Sequence, residues 1–245
     1  MIKLKISEDD IKGAIRDALK ENFNRRDNLR HRGANVQFDC LVRGYIGELG
    51  IKRWFGEHGI EFDETNYMSD EQGNIDIDLL YSYGENQQKT LEIKTSLVPD
   101  NYAKGVSDIE QRIVRCIDNF DIKLIRRFSE TIEELKGDIH IQVYFGDLRR
   151  AKDTFLNAQT ISLYEEITDE YIEHIYHTLK AQSYLNRTFF VGWIDRETLI
   201  EQIHAKSPNR QIWSMPQFKR EFWTCKLRDE AKAPHELIDY IKALG

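Results

Sequence analysis

The chain has 245 residues, enough to bury a full core in one large domain, and its 40% hydrophobic and 11% aromatic content excludes wholesale disorder. A net charge of -7 excludes a protein that coats nucleic acid through its global charge, while leaving room for a local grip by clustered Lys and Arg. Cys40, Cys116 and Cys225 are scattered without a CxxC pair, which argues for reduced thiols over a zinc site or a disulfide frame.

Ser7 ahead of Glu8, Asp9 and Asp10 has the form of a helix N-cap with acids in the first turn, and Ile11, Ile15, Ala18 and Leu19 continue at helical spacing. A second helix is predicted from about Gln37 to Glu57, with Leu41, Tyr45, Ile46, Leu49, Trp54 and Phe55 as its apolar stripe and Gly59 as its stop. Residues 74 to 83 and 89 to 95 alternate and are rich in strand formers; with the turn at Gly84-Glu-Asn-Gln between them they predict a hairpin. Beyond it come a mostly helical region (about 107 to 136), a strand at Ile139 to Phe145 and a helix at about 165 to 181. A strand at Thr188 to Ile194 then runs into a helix start at Asp195, and a short helix ends the chain at 234 to 244. There is no repeat and no Pro/Gly-rich linker, so one domain over residues 1–245 is expected: an α/β protein with a central mixed sheet flanked by helices. The start Met1-Ile-Lys-Leu-Lys lacks the apolar run of a signal peptide, and no stretch reaches the roughly 20 apolar residues of a membrane span, so a cytoplasmic protein without membrane attachment is expected.

The chemistry concentrates at Leu91-Glu92-Ile93-Lys94-Thr95. On a strand, Glu92 and Lys94 share one face while Leu91, Ile93 and Thr95 share the other, so a carboxylate and an ammonium stand side by side over an apolar underside. The partner strand supplies Asp76 and Asp78 on one face. If Tyr83 faces Gln88 or Lys89 across the turn, Asp78 lies opposite position 93 or 94. It is then the acid better placed to share an ion with Glu92, and Asp76 stands further along as an outer or alternative ligand. Clustered carboxylates raise each other's pKa unless a cation lies between them. Hard oxygen donors suit Mg²⁺, which can polarise a phosphoryl oxygen and activate water, while Lys94 orients the attacking water or neutralises charge on the phosphate.

An Asp-bearing strand, a turn and a strand ending Glu-Ile-Lys resembles the PD-(D/E)XK nuclease superfamily. Gly44-Tyr-Ile-Gly47-Glu48, followed by Trp54-Phe55 and Gly59, is similar to the Gly-x-x-Gly-Glu helix of many members. The weight lies in the conjunction and its order, since Glu-x-Lys or Asp-x-Asp alone usually marks a solvated strand face. One residue departs from the pattern: Ile77 stands before Asp78 where the motif has proline.

The resemblance implies a restriction-endonuclease-like core over about 37–96 plus strands near 138–145 and 188–194, with helical insertions at about 97–137 and 195–231. It implies Glu48 as a helix-borne metal ligand or water-positioning acid, Asp78 and Glu92 as metal ligands, and Lys94 as the catalytic lysine. The cofactor implied is Mg²⁺, with Mn²⁺ able to substitute, and the product ends are 5′-phosphates. The activity implied is that of a metal-dependent deoxyribonuclease, a type II restriction endonuclease cutting double-stranded DNA as a homodimer. A repair, junction-resolving or phage nuclease, or a DNA-binding module without catalysis, is the alternative. No Walker-type glycine loop or Gly-x-Ser-x-Gly elbow occurs, so neither a nucleotide cofactor nor serine hydrolase chemistry is expected.

Arg210, Lys219 and Arg220, interleaved with Trp213, Phe218, Phe222 and Trp223, suit phosphate contact and base stacking, or else a core-forming aromatic stripe with solvated charges. His174 and His177 stand at a spacing that can bind metal, but with no further Cys or His nearby a solvated helix face is expected. His140 alternates with apolar residues on a strand near the sheet centre; it could approach the site, but a hydrogen-bonded structural histidine is expected.

Overall fold

A computed structural model describes residues 1–22, 33–63, 78–83, 87–119, 121–126, 131–135, 137–161, 166–207, 211–215 and 220–244. After a short strand β1 (Ile2–Lys3) come helices α1 (Glu8–Asn22) and α2 (Ala34–Gly56), then the hairpin of β2 (Leu79–Tyr83) and β3 (Gln87–Val98). Next are α3 (Asp100–Ala103), α4 (Ile109–Asn119), β4 (Asp121–Arg126), β5 (Ile139–Leu148), α5 (Arg149–Asn157) and α6 (Asp169–Thr178). The chain continues through β6 (Thr188–Asp195), α7 (Arg196–Ala205), β7 (Ile212–Met215), β8 (Arg220–Lys226) and a last helix, α8 (Glu236–Lys242).

The helix starts and stops follow from local chemistry. Ser7 and Asp10 cap each other reciprocally: the Asp10 N–H donates to Ser7 Oγ (3.2 Å) and the Ser7 N–H to Asp10 Oδ2 (2.7 Å). At the far end of α2, Gly59 takes φ +71°, a left-handed conformation that glycine adopts without a Cβ penalty, and the helix ends there. The Asp195 carboxylate accepts the Thr198 N–H (2.9 Å) and so starts α7.

The main sheet has the order β1-β6-β5-β3-β2, with β3 and β5 parallel and the other neighbours antiparallel, so it is mixed. Both faces are covered. Leu91, Ile93, Leu97, Ile139, Ile141 and Val143 join a core with α1, α2, α6 and α8. Tyr144, Phe189, Val191 and Ile194 join a second core with α4, α7, Trp223 and Cys225. A strand buried on both faces needs no polar alternation, which explains the near-continuous apolar run of β6. Among the described residues, no helix is long and apolar enough to cross a membrane.

Two expectations change. The region 107 to 136 is not helical throughout: after α4, Asp121–Arg126 is strand β4, and its partner is β8, about a hundred residues further on. The additions at 97–137 and 195–231 are therefore not purely helical. They meet in one three-stranded antiparallel sheet, β4-β8-β7, in which strand pairing comes from a distant segment that local periodicity does not reveal.

Candidate active site

Gly47 brings α2 close to the sheet. A Cβ placed there would stand 2.5 Å from Thr95 Cγ2 and 3.8 Å from Ile93 Cγ2, so only the bare glycine backbone can lie this near β3. The next residue, Glu48, is half-buried and thereby carried up to the strand that bears the Glu-Ile-Lys segment. We expect Gly47→Ala to cost about 1–3 kcal/mol despite its better helix propensity, because overpacking against a β-branched side chain outweighs the propensity gain. Thr95→Ser deletes the clashing methyl and should restore much of the loss. Thermal melts of the two single variants and the double variant decide it, and equal melting of wild type and Gly47→Ala would sink the close-packing account.

The hairpin register is tighter than expected. Tyr83 pairs with Gln87, not with Gln88 or Lys89, and Leu79 pairs with Leu91, so the same register sets Asp78 beside Glu92. The Asp78 N–H donates to Leu91 O at 2.9 Å. Its carboxylate turns back onto β3, where Oδ2 accepts the N–H of Ile93. That N–H lies two residues beyond the last described β2–β3 pair, and a side-chain oxygen serves as its acceptor.

Glu92 and Lys94 occupy one face of β3, as the alternation predicts. Lys94 Nζ pairs with Glu92 Oε1, and the other oxygen, Oε2, accepts from His140 Nδ1 at 2.8 Å. Parallel pairing sets β5 behind this segment in register: Glu92 beside His140 and Lys94 beside Gln142. Gln142 is buried and donates through Nε2 to Lys94 O (2.9 Å) and Val143 O (3.0 Å).

The electrostatics bind the four predicted residues into one cluster. Burial, and next to it the charge of Glu48, push the Asp78 carboxyl well above the usual carboxylate range. The Ile93 N–H and the Lys94 ammonium pull it down, and Glu92 pushes it up. Glu92 goes the other way: burial raises it, but Lys94 and His140 outweigh burial and hold its pKa low. Asp78 thus lies within electrostatic reach of Glu48, Glu92 and Lys94.

That donor set fits a hard divalent cation. Carboxylate oxygens are what Mg²⁺ prefers, and one or two of them suffice because water and a substrate phosphate complete its shell. Among the described residues, no three His, Cys, Asp or Glu side chains are already gathered tightly enough to hold a metal between them.

Asp76, Arg210 and Lys219 lie outside the described residues, and Arg220 is described only as the backbone start of β8. Trp223 is a core residue, buried to 6% exposure against α4 and α7, so at least this aromatic of the basic C-terminal segment serves packing. His174 and His177 are exposed on α6, with His177 Nε2 3.0 Å from Glu173 Oε1. Residues that sequence reasoning undervalued are His140 and Gln142. The signal was available in the strand Ile139-His-Ile-Gln-Val-Tyr-Phe: two polar residues on one face of an otherwise apolar central strand need buried partners. Compared with known proteins, the chain matches no family model, no curated protein and no solved structure.

Proposed function

We propose that this protein is a Mg²⁺-dependent DNA endonuclease, a phosphodiester hydrolase whose reacting centre is formed by Glu48, Asp78, Glu92 and Lys94. One observation supports the reading: the Glu92–Lys94 pair on the central strand lies within electrostatic reach of Asp78 at the hairpin edge, and Asp78 in turn within reach of Glu48 on α2. A solvated strand face accounts poorly for that convergence, because solvated acids do not bury one another.

When bound, Mg²⁺ would polarise the phosphoryl oxygen and lower the pKa of a coordinated water. Asp78 and Glu92 are the residues that would hold it, with Glu48 as the helix-borne third acid and Asp76 as the alternative. The chain's own contributions are positional. Asp78 is held by the Ile93 N–H, Glu92 by His140, and the Lys94 strand by Gln142, so little reorganisation is left for the moment of reaction. Lys94 sets a positive charge where the phosphorane oxygens gain negative charge, or orients the attacking water.

The size of the chain around a small core favours a type II restriction endonuclease cutting double-stranded DNA as a homodimer, with Mn²⁺ replacing Mg²⁺. The test is digestion of supercoiled plasmid with Mg²⁺, with Mn²⁺ and with a chelator, followed by mapping of the ends. Discrete fragments with 5′-phosphates support the subtype; cutting confined to branched DNA or RNA moves the protein to a repair or junction-resolving role. No metal-dependent cutting of any nucleic acid would overturn the nuclease reading.

A further inference from the structure

His140 is fully buried on the central strand β5, directly beside Glu92 in the parallel register. Its Nδ1 stands 2.8 Å from Glu92 Oε2. A carboxylate can only accept, so Nδ1 carries the proton in this contact. The far nitrogen, Nε2, is buried and has no hydrogen-bond partner among the described residues. A histidine serving only to fill the core would not strand a polar atom in this way, since a leucine would fill the same space without the desolvation cost.

The ring is also closely covered. Gly137 lies over it in a left-handed conformation (φ +83°), and a Cβ there would stand 3.2 Å from His140 Cε1 and 3.5 Å from Glu92 Cβ. Glycine therefore permits the backbone to close down on the ring and fix its plane. With Oε2 held by His140, Glu92 has one oxygen, Oε1, directed at Lys94.

We propose that His140 is a positioning residue for Glu92: through Nδ1–H it fixes the rotation of the carboxylate, so that Oε1 alone is presented to Lys94 and to a divalent cation. The inference rests on the nuclease reading above and adds to it a residue outside the four motif positions. It also accounts for the buried polar atom at Nε2, as the consequence of a ring aimed by its other nitrogen.

Three substitutions separate a positioning role from a packing role. His140→Asn puts an amide donor close to where Nδ1 stands, His140→Gln puts one close to where Nε2 stands, and His140→Leu keeps bulk without a donor. The measurement is Mn²⁺ affinity of the full-length protein by calorimetry, without DNA, beside a thermal melt of each variant. Loss of a group that orients a ligating carboxylate weakens metal binding by roughly 10- to 100-fold. That loss is expected for His140→Leu and His140→Gln, while His140→Asn stays close to wild type. Nitrogen-15 spectra of wild-type His140 supply a readout independent of any variant's folding, and should show the proton on Nδ1. A folded His140→Leu that binds Mn²⁺ like wild type, an Asn variant as weak as the Leu variant, or an unprotonated Nδ1 overturns the proposal while leaving the nuclease reading in place. Absence of Mn²⁺ binding by the wild type overturns both.

Discussion

On the nuclease reading proposed above, replacing Lys94 by alanine is expected to lower the rate of Mg²⁺-dependent DNA cleavage by about 10²–10³-fold while leaving metal binding undiminished, because the lysine would stabilise developing charge without being a ligand itself. The reason lies in its surroundings. Its ammonium is only partly exposed, pairs with Glu92 Oε1 and pulls on the Asp78 carboxyl, so its charge acts on both carboxylates. Removing it deletes the positive charge facing the phosphate but frees Glu92 Oε1, so Mn²⁺ affinity should hold or rise. Asp78→Asn should behave differently: the same cleavage loss accompanied by weaker Mn²⁺ binding, because a ligand is gone. Plasmid digestion and calorimetry on the two variants, with melting curves as the folding control, separate the roles. Unchanged cutting by either variant would show that the reacting centre lies elsewhere.

The second large effect concerns stability. Asp39 and Arg43 lie one turn apart on α2, both buried, with Arg43 Nε donating to Asp39 Oδ2 at 2.8 Å. The Tyr184 hydroxyl donates to the other oxygen, Oδ1. Burial, with the Asp39 carboxylate next, drives the Tyr184 hydroxyl far above its usual pKa, so it remains a donor at any ordinary pH. Lys152 completes the network, with Nζ 4.6 Å over the Tyr184 ring and 2.6 Å from Leu179 O.

Asp39→Ala leaves the Arg43 guanidinium and the Tyr184 hydroxyl buried without their acceptor. The expected cost is about 3–5 kcal/mol, or a fall of roughly 10 °C in melting temperature for a chain of this size. The combination Asp39→Leu with Arg43→Met should recover much of it, since a buried ion pair is often no better than apolar residues of similar volume. Chemical denaturation of the single and combined variants checks this. An Asp39→Ala protein as stable as wild type would mean that the network contributes nothing net. The consequence for function is mechanical, because the network anchors the first half of α2, and Glu48 lies on its second half.

Much of the fold was legible because its signals are local. The cap at Ser7, the stop at Gly59 and the N-cap at Asp195 each involve residues three or four apart, and backbone chemistry at that range is the same in any fold. The alternation of Leu91 to Thr95 likewise placed Glu92 and Lys94 on one face. These short-range patterns nominated Glu92, Lys94 and Asp78, and Glu48 was added by the family resemblance that the glycine-glutamate helix carries.

What they could not supply is anything that depends on which distant segment arrives. The strand at Asp121–Arg126 exists because β8 pairs with it, and a window of a dozen residues contains no trace of that partner. The hairpin register is one residue tighter than the turn alone suggested, with Tyr83 opposite Gln87. His140 meets Glu92 across 48 positions and Tyr184 meets Asp39 across 145, and in each case the sequence contained both polar residues without saying that they would satisfy each other. Hydrogen bonding and burial act on neighbours in space, and chain separation carries almost no information about that distance once a sheet has brought remote strands together.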